Sequence, residues 1–360
     1  MFKAVPPAFL RYIAISAGML LSFPFSVTEA GAQEPSRVVA LTFDDLPYAG
    51  PIGQGRGALS ATEVAALNAR VRAILAEAEA PATGFVVEVS AEALGDLRWS
   101  VLQPWTLGEL SLGNHTYSHT DINLLTPTQI ENEIVRGEAT TGPLMTASGK
   151  PLRFIRFPRN HTGETEAKRD AVSGILSARG YVAAASTIDT SDYQFEAAYQ
   201  VAQIAHDQDC IAAIRSAYLD YSATKIDYYT DLNLQVLGRA PAEIALLHLN
   251  QINADTLGEI LDLYRARGFR FVSLESAQAD QAYASPSAFV SPHGPMWAYR
   301  WARDRGIRVD GSGDTDPPAW LDTYASGASH CGAPHPSTGA ENEAASTLLV
   351  PHSNAVGELQ

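Results

Sequence analysis

The chain has 360 residues, of which 46% are hydrophobic and 18% charged, a composition typical of a folded globular protein. A formal net charge of −15 without a basic cluster argues against a surface that follows nucleic-acid phosphates, so we predict no nucleic-acid partner. The two cysteines, Cys210 and Cys331, lack CxxC spacing and so indicate neither a disulfide scaffold nor a cysteine zinc site, and a single bridge stays open.

The first 32 residues have the pattern of a secretory signal peptide. Lys3 and Arg11 precede an apolar run over residues 12–27, and the small residues at 30–32 suit signal peptidase. An uncleaved anchor is the alternative, but Ser, Gly and Pro interrupt this run, which is short for a span of about 20 residues. We therefore predict export to the periplasm or the exterior, with no membrane span left after cleavage.

Strand-like and helix-like segments alternate through the predicted catalytic domain, residues 33–308. Seven apolar, β-rich segments are predicted strands: 38–43, 85–89, 110–112, 152–157, 181–188, 244–249 and 269–274. Caps and Gly or Pro stops predict helices between them, at 60–80, 127–146, 165–180, 195–220 and 255–267. The alternation predicts an α/β fold of parallel βα units, arranged as a barrel or an open sheet.

Residues 309–360 differ in composition from the rest. They contain seven acidic residues and no Lys or Arg, and they are rich in Gly, Ser, Pro and Thr. Such a stretch buries little apolar surface, so we predict a flexible acidic tail. Trp320, Leu321 and Tyr324 could dock a short piece of it, which leaves the boundary open.

Polar side chains stand at the end of five of the predicted strands or follow them. They are Asp44 and Asp45, His115 and His119, Arg156, Asp189 and Asp192, and His248. In parallel α/β folds the carboxyl ends of the strands share the face that carries the active site. We therefore expect these side chains to meet, although they span two hundred residues.

The two histidines indicate a metal site. His115 and His119 are four residues apart, so both imidazoles can face one ion if the segment turns helically after His115. Asp44 or Asp45 would complete a set of two imidazoles and one carboxylate with open positions, for which zinc is the leading candidate. The alternative is a polar loop with satisfied histidines.

The adjacent carboxylates suggest a division of labour. One can bind the metal while the other stays free as a base, an arrangement that suits hydrolysis. A turn or a helix cap explains Asp44 and Asp45 equally well when they are taken alone. His248 by itself fits a core histidine at a strand end.

Five segments together resemble the polysaccharide deacetylases, the NodB-homology family. They are TFDD (42–45), HTYSH (115–119), RFP (156–158), DTSDY (189–193) and LLH (246–248), in the family's order and approximate spacing. The resemblance covers about residues 37–276. It implies a distorted (β/α)7 barrel with the active site at the C-terminal ends of the strands.

The resemblance also implies site roles. It implies Asp44 as general base, Arg156 as the arginine that orients it, Asp45, His115 and His119 as the ligands of a divalent metal, His248 as general acid, and Asp192 as the carboxylate paired with that histidine. The implied activity is removal of acetyl groups from N-acetylglucosamine units of peptidoglycan or chitin-like glycans. O-acetyl removal from xylan is a variant of it, and the implied partner is an acetylated glycan.

Two positions depart from the family pattern. Tyr193 stands where Trp is frequent, and Arg159 replaces the aromatic residue after Pro158; these positions shape the sugar groove or supply a backbone N–H to the oxyanion. Tyrosines within 196–240 could stack on sugars, although such residues more often pack helices. A hydrolase of a small amide or imide and a non-catalytic glycan-binding protein are the alternatives. The sequence predicts no oligomeric state.

Overall fold

The computed structural model describes residues 37–284, 287–328 and 330–332. The predicted signal peptide, residues 1–32, and residues 333–360 of the predicted tail lie outside this part. Within the described part, none of the helices combines the length and the apolar character needed to cross a membrane.

The described chain forms one sheet of eight parallel strands. They are β1 (Arg37–Leu46), β2 (Ala82–Val86), β3 (Leu110–Asn114), β4 (Phe154–Ile155), β5 (Val182–Ala183), β6 (Ile188–Asp189), β7 (Glu243–His248) and β8 (Phe269–Val272). The order is β5-β4-β3-β2-β1-β7-β6, and β8 pairs with the start of β1. The fold is therefore α/β, and the curled sheet with its covering helices is the predicted distorted (β/α)7 barrel.

The segment predicted as one strand, residues 181–188, instead forms both edges of the sheet. β5 pairs with β4, β6 pairs with β7, and residues 184–187 cross between the two edges. Side chains bond the backbone in this crossing: Ala185 N donates to Gln278 Oε1 (3.1 Å), and Ala185 O accepts from Arg156 Nη2 (2.6 Å). An apolar run of this length did not reveal that its first part bonds β4, up to Ala184 N on Ile155 O (2.7 Å), and its last part bonds β7, from Thr187 N on Ile244 O (2.8 Å).

Twelve α-helices lie in the described residues. They are α1 (Ala61–Glu77), α2 (Glu88–Glu92), α3 (Leu97–Leu102), α4 (Pro127–Arg136), α5 (Thr141–Ala147), α6 (Glu166–Arg179), α7 (Asp192–Ala205), α8 (Gln208–Leu237), α9 (Gln251–Ala266), α10 (Leu274–Gln278), α11 (Trp297–Asp304) and α12 (Trp320–Ala325). Short 3₁₀ helices form at Gln103–Thr106, Ile122–Leu124, Pro158–Asn160, Gln281–Tyr283 and Gly311–Gly313.

Local signals predicted helix starts better than helix continuity. The capping box of Ser60 and Glu63 opens α1, as predicted, and Thr126 caps α4. The tract predicted over 127–146 is divided into α4 and α5, and the tract at 195–220 into α7 and α8. The second break contains His206 in a left-handed conformation, φ 55°, which ends α7.

β1 is the central strand and carries the first pair of site residues. It pairs with β2, β7 and β8, and residues 39–43 have no exposed surface. Because both faces of the strand are covered, its sequence is a nearly continuous apolar run. The polar residues that follow, Asp44 and Asp45, therefore stand out at its carboxyl end.

Residues 309–328 pack against the domain, so the boundary predicted at residue 308 is too early, and the docking that the sequence left open occurs at Leu321 and Tyr324. α12 packs on α7 with Leu321 and Tyr324 buried. Asp314 pairs with Lys225 on α8, and Cys331 forms a disulfide with Cys210, with the Cα atoms 5.5 Å apart. The composition of the segment did not predict this order, because its partners lie about 90 to 120 residues earlier in the chain.

Candidate active site

The two adjacent aspartates lie on a β-bulge. The pairing of β1 with β2 runs from Phe43–Gly84 to Leu46–Val86, so β1 has one extra residue at this point. Asp45 has φ 62°, in the left-handed region that β-branched and bulky residues avoid. In a regular strand neighbouring side chains point to opposite faces, so the bulge allows both carboxylates to serve one site.

Asp45, His115 and His119 converge. Asp45 Oδ1 lies 3.3 Å from His115 Nε2 and 3.2 Å from His119 Nε2, and the three ligand atoms lie within 4.8 Å of one another. His115 is 2% exposed, whereas the His119 side chain is 40% exposed. The cluster therefore has one deeply buried side and one side open to solvent.

The loop that carries the histidines is not helical. The four-residue spacing of His115 and His119 predicted a helical turn after His115, and this prediction is wrong. Thr116 and His119 have φ of 69° and 57°, and the residues between them form bends. Asn114 supports the turn because its Oδ1 accepts from Thr116 N (2.8 Å) and its Nδ2 donates to Ile134 O (2.9 Å). A strained loop, rather than one helix face, brings the imidazoles together.

Arg156 links the histidine loop to the first aspartate. Its carbonyl oxygen accepts from His115 Nδ1 (2.7 Å), which leaves His115 Nε2 facing Asp45. Its Nη1 donates to Asp44 Oδ1 (2.8 Å) and to Thr42 Oγ1 (2.7 Å). Arg156 and Asp44 are 2% and 4% exposed, so the carboxylate is oriented by a buried cation.

The three-residue cluster fits a divalent cation. Asp45 Oδ1 is buried and has no hydrogen bond of good geometry within the described residues, although both imidazoles lie beside it. Burial raises the pKa of Asp45, but the two imidazoles outweigh it and hold that pKa well below its usual value. Two imidazole nitrogens and one carboxylate form a donor set typical of zinc.

His248 and Asp192 form a buried ion pair on the other side of Asp44. Asp192 Oδ1 accepts from His248 Nδ1 (2.6 Å), and its Oδ2 accepts from His248 N (2.6 Å). Burial lowers the pKa of His248, but the Asp192 charge outweighs it and raises that pKa to about 10. Asp44 and His248 are direct neighbours in the register of β1 and β7, so the predicted base and acid face one region.

The turn before α7 separates the roles of its two aspartates. Asp189 Oδ1 accepts from Ser191 N (2.8 Å), and burial raises the pKa of Asp189 to about 6. Ser191 has φ 51°, and this turn directs Asp192, the first residue of α7, to His248. The resemblance implied Asp192 as the partner of this histidine, and in the structure Asp192 contacts His248 whereas Asp189 bonds Ser191 N.

Sequence reasoning missed the residues that support Asp192. Asn253 donates from Nδ2 to Asp192 Oδ2 and to His248 O (2.9 Å), and its Oδ1 accepts from Tyr218 OH (2.6 Å). The available signal was Asn250, which caps α9 directly after the β7 strand and accepts from Asn253 N (3.0 Å). A polar residue in the first helical turn after a strand that ends in a predicted site residue was therefore a candidate for supporting the site.

The rim contains the two positions that depart from the family pattern. Tyr193 is 53% exposed, and its ring lies edge-on to His248 with the centroids 5.9 Å apart. Arg159 is exposed in the 3₁₀ turn that follows Arg156. Of the tyrosines within 196–240, four are buried and Tyr228 is half-buried, which favours helix packing over sugar stacking for this group.

The structure thus brings all seven predicted side chains to the carboxyl end of the sheet. Two groups form: Asp44, Asp45, His115, His119 and Arg156 in one, and Asp192 with His248 in the other. The two groups meet through the adjacent strands β1 and β7. A carboxylate, a candidate cation site and an imidazole paired with a carboxylate are the elements of a hydrolytic site.

The polysaccharide deacetylase family model matches residues 31–173, a segment that contains β1 through β4 and three of the five motifs. Over that region the chain is similar to the polysaccharide deacetylase family, and this similarity supports a deacetylase. No sequence among curated proteins matches the chain.

Several solved structures are similar in fold. A mutant pseudoenzyme of carbohydrate esterase family 4 with restored activity is 16% identical, with 67% of each chain covered and a TM-score of 0.45. A polysaccharide deacetylase from Bacillus cereus is 18% identical over 66% of this chain and 91% of its own, with a TM-score of 0.43. A family 4 carbohydrate esterase from Streptomyces lividans in complex with acetate is 15% identical over 67% and 95%, with a TM-score of 0.42.

Proposed function

We propose that this protein is a metal-dependent hydrolase that removes acetyl groups from a polysaccharide or oligosaccharide. N-acetylglucosamine units of peptidoglycan or chitin-like glycans are the substrate class we favour. The observation that carries the proposal is the meeting of an oriented buried carboxylate, Asp44, with the Asp45, His115 and His119 cluster on one side and His248 on the other.

Asp45, His115 and His119 would hold the divalent metal, with zinc as the leading candidate. When bound, the cation supplies Lewis acidity toward the acyl carbonyl and toward the attacking water. Asp45 occupies the bulge, so its carboxylate reaches the imidazoles while that of Asp44 stays on Arg156. The two carboxylates therefore take different roles.

Asp44 would act as the general base. Arg156 holds Asp44 Oδ1, and Asp44 Oδ2 lies 3.8 Å from His115 Nε2, directly beside the cluster. The carboxylate accepts a proton from water as the water oxygen attacks the acetyl carbon. Because Arg156 is itself held by Thr42 Oγ1 and Ala185 O, the base has one orientation.

His248 would act as the general acid. Its paired carboxylate, Asp192, keeps the ring protonated, so it can donate from Nε2 to the departing amine or alkoxide. The carbon–nitrogen or carbon–oxygen bond breaks as this proton arrives, and acetate and the deacetylated sugar are released. Asn253 and the His248 backbone N–H hold Asp192 in place for this step.

The first test is acetate release by the purified chain after chelation and zinc restoration. Oligomers of N-acetylglucosamine, peptidoglycan and acetylated xylan form the substrate panel. We expect release that depends on zinc and favours the N-acetylated members. No release from any of the three, by a folded protein that holds zinc, would refute the proposed activity.

Two matched variants separate the site from the rest of the surface. Asp44→Asn removes the proposed base, whereas Asp170→Asn makes the same chemical change at an exposed carboxylate on α6. We expect the first variant to lose turnover and the second to match the parent protein. Equal activity of both variants would contradict the assignment of the base.

We also propose that the protein is exported, with cleavage after Ala32. Support comes from the signal-like pattern of residues 1–32 and from the Cys210–Cys331 disulfide, a bond typical of oxidising compartments. Mass spectrometry of the secreted or periplasmic protein should find Gln33 as its first residue. Retention of the protein with residues 1–32 in the cytoplasm would contradict this proposal.

A further inference from the structure

The turn that follows Arg156 has a strained backbone. Arg159 and Asn160 are consecutive non-glycine residues in the left-handed region, with φ of 60° and 56°. Isolated residues adopt this conformation rarely, and two in succession persist only where neighbouring structure holds them. The turn is short, Pro158–Asn160, and its own hydrogen bonds are Asn160 N to Phe157 O (3.1 Å) and His161 N to Pro158 O (3.3 Å).

This turn adjoins the proposed catalytic machinery. Arg156, which holds Asp44, lies three residues before Arg159, and Arg156 and Asn160 line the same small cavity of about 10 Å³. Within the described residues, the Arg159 N–H makes no backbone hydrogen bond. It lies at the position where the family resemblance implies a donor to the oxyanion. The position of the turn therefore bears on the reaction.

A buried arginine that lies outside the eight strands donates hydrogen bonds to the turn and to the residues after it. Arg300, on α11, is 1% exposed and donates from Nη2 to Asn160 O (2.5 Å) and from Nη1 to Thr162 Oγ1 (3.1 Å). Its guanidinium lies 4.0 Å from the Trp297 ring centroid. All the hydrogen bonds of this guanidinium within the described residues go to neutral oxygens, the third being Nε to Pro295 O (2.9 Å), so the buried cation is satisfied by the turn and the segment before α11.

A glycine lies in close contact with the backbone of the turn. A Cβ on Gly294 would lie 1.9 Å from Arg159 O and 2.6 Å from Asn160 C, which is closer than any side chain can approach. The φ of Gly294 is not in the left-handed region, so its backbone alone would accept alanine. The glycine is therefore required for the close approach of residues 291–295 to the turn.

We propose that Arg300 and Gly294 are positioning residues, which hold the left-handed Arg159–Asn160 turn where it receives the acyl oxygen of the substrate. The inference rests on the proposed deacetylase function and deepens it. It assigns a role in the reaction to the segment after β8. Arg300 acts by its hydrogen bond to the Asn160 carbonyl, and Gly294 acts by its close contact with the backbone of the turn.

The kinetic test compares Arg300→Met with Arg303→Met. Arg303 lies on the same helix and donates to Val290 O (3.1 Å), but it does not contact the turn. For Arg300→Met we expect kcat to fall about 10- to 100-fold, because a displaced donor misses the reacting oxygen, with a much smaller change in KM and unchanged zinc content. Arg300→Lys keeps the charge without the planar fork and should recover only part of the loss.

A second readout does not depend on activity. Trypsin cleaves after exposed arginines in mobile backbone, and Arg159 is exposed but held in an ordered turn. Mass spectrometry should therefore detect cleavage between Arg159 and Asn160 sooner in Arg300→Met than in the parent or in Arg303→Met. Equal cleavage in all three, together with unchanged kcat, would overturn the proposal.

Gly294→Ala keeps the test valid if Arg300→Met does not fold. Its control is Gly174→Ala on α6, where an added Cβ would meet no atom within 4 Å. We expect a lower kcat and faster cleavage after Arg159 for Gly294→Ala alone. A wild-type protein without acetate release would refute the proposed function, whereas an active wild type with a fully active, trypsin-resistant Gly294→Ala would refute only the inference.

Discussion

The carboxyl ends of the strands and the segment 287–332 contribute to the same site in different ways. The strand ends supply the groups with chemistry, from Asp44 after the core of β1 to His248 at the end of β7. The segment supplies contacts from outside the strands: Arg300 donates to the Asn160 carbonyl in the turn after Arg156, and Asp314 pairs with Lys225 on α8.

The difference shows which features a sequence reveals. A carboxylate or histidine at the end of an apolar run is conspicuous, because the run itself predicts a buried strand. A supporting residue such as Arg300 follows no local pattern, because its role is set by residues about 140 positions away. The variants below are expected to separate chemistry from support.

The largest effect is expected for His115→Ala. Loss of a buried ligand should abolish zinc binding and reduce kcat/KM by at least about 10³-fold, since the cation contributes several kcal/mol to the reaction. Zinc content by elemental analysis and acetate release check this, with the exposed His293→Ala as control. A zinc-loaded His115→Ala protein would show that the cluster is not the metal site.

Asp44→Asn should be nearly as severe, but through another step. The amide cannot accept the proton of water, so we expect kcat to fall by about 10²- to 10⁴-fold with zinc content unchanged. Zinc analysis and acetate release on the same preparation distinguish it from His115→Ala. If zinc is lost together with activity, Asp44 belongs to the metal ligands and Asp45 is the base.

Asp192→Asn should change the pH dependence of the reaction. The Asp192 charge raises the pKa of His248 to about 10, so its removal lowers that pKa. The general acid acts in its protonated form, and the basic limb of the kcat profile should therefore move to lower pH, with kcat at neutral pH reduced about 10-fold or more. An unmoved basic limb would contradict the role of His248 as the acid.

The smallest effect on chemistry is expected for the pair Cys210→Ser and Cys331→Ser. The disulfide closes a loop with a sequence separation of 121 residues, so its removal should lower the free energy of unfolding by about 2–4 kcal/mol. The kcat at 25 °C should stay unchanged, since neither cysteine contacts the site residues. Urea unfolding and acetate release measure the two quantities, and a large loss of kcat would assign the disulfide to the site.

Most of the strands and the site residues could be predicted because their signals are local. Val39 to Phe43 form a run with both faces covered, and the capping box at Ser60 and the cap residue Thr126 predicted helix starts. The crossing at residues 184–187 could not be predicted. Only the pairing of β5 with β4 and of β6 with β7 shows that residues 181–188 form two short strands and not one. The left-handed conformation of His119 could not be predicted from the sequence either. The loop depends on Asn114, which bonds Thr116 N and the distant Ile134 O.

The sequence by itself determined the parallel α/β fold and the residues available for chemistry, since alternating apolar segments and the polar side chains after them are properties of the chain alone. Only the tertiary structure decided that a bulge separates Asp44 from Asp45, that residues 184–187 cross between the two edges of the sheet, and how far the ordered chain extends beyond residue 308. Each of these depends on contacts between distant residues, which no local pattern encodes.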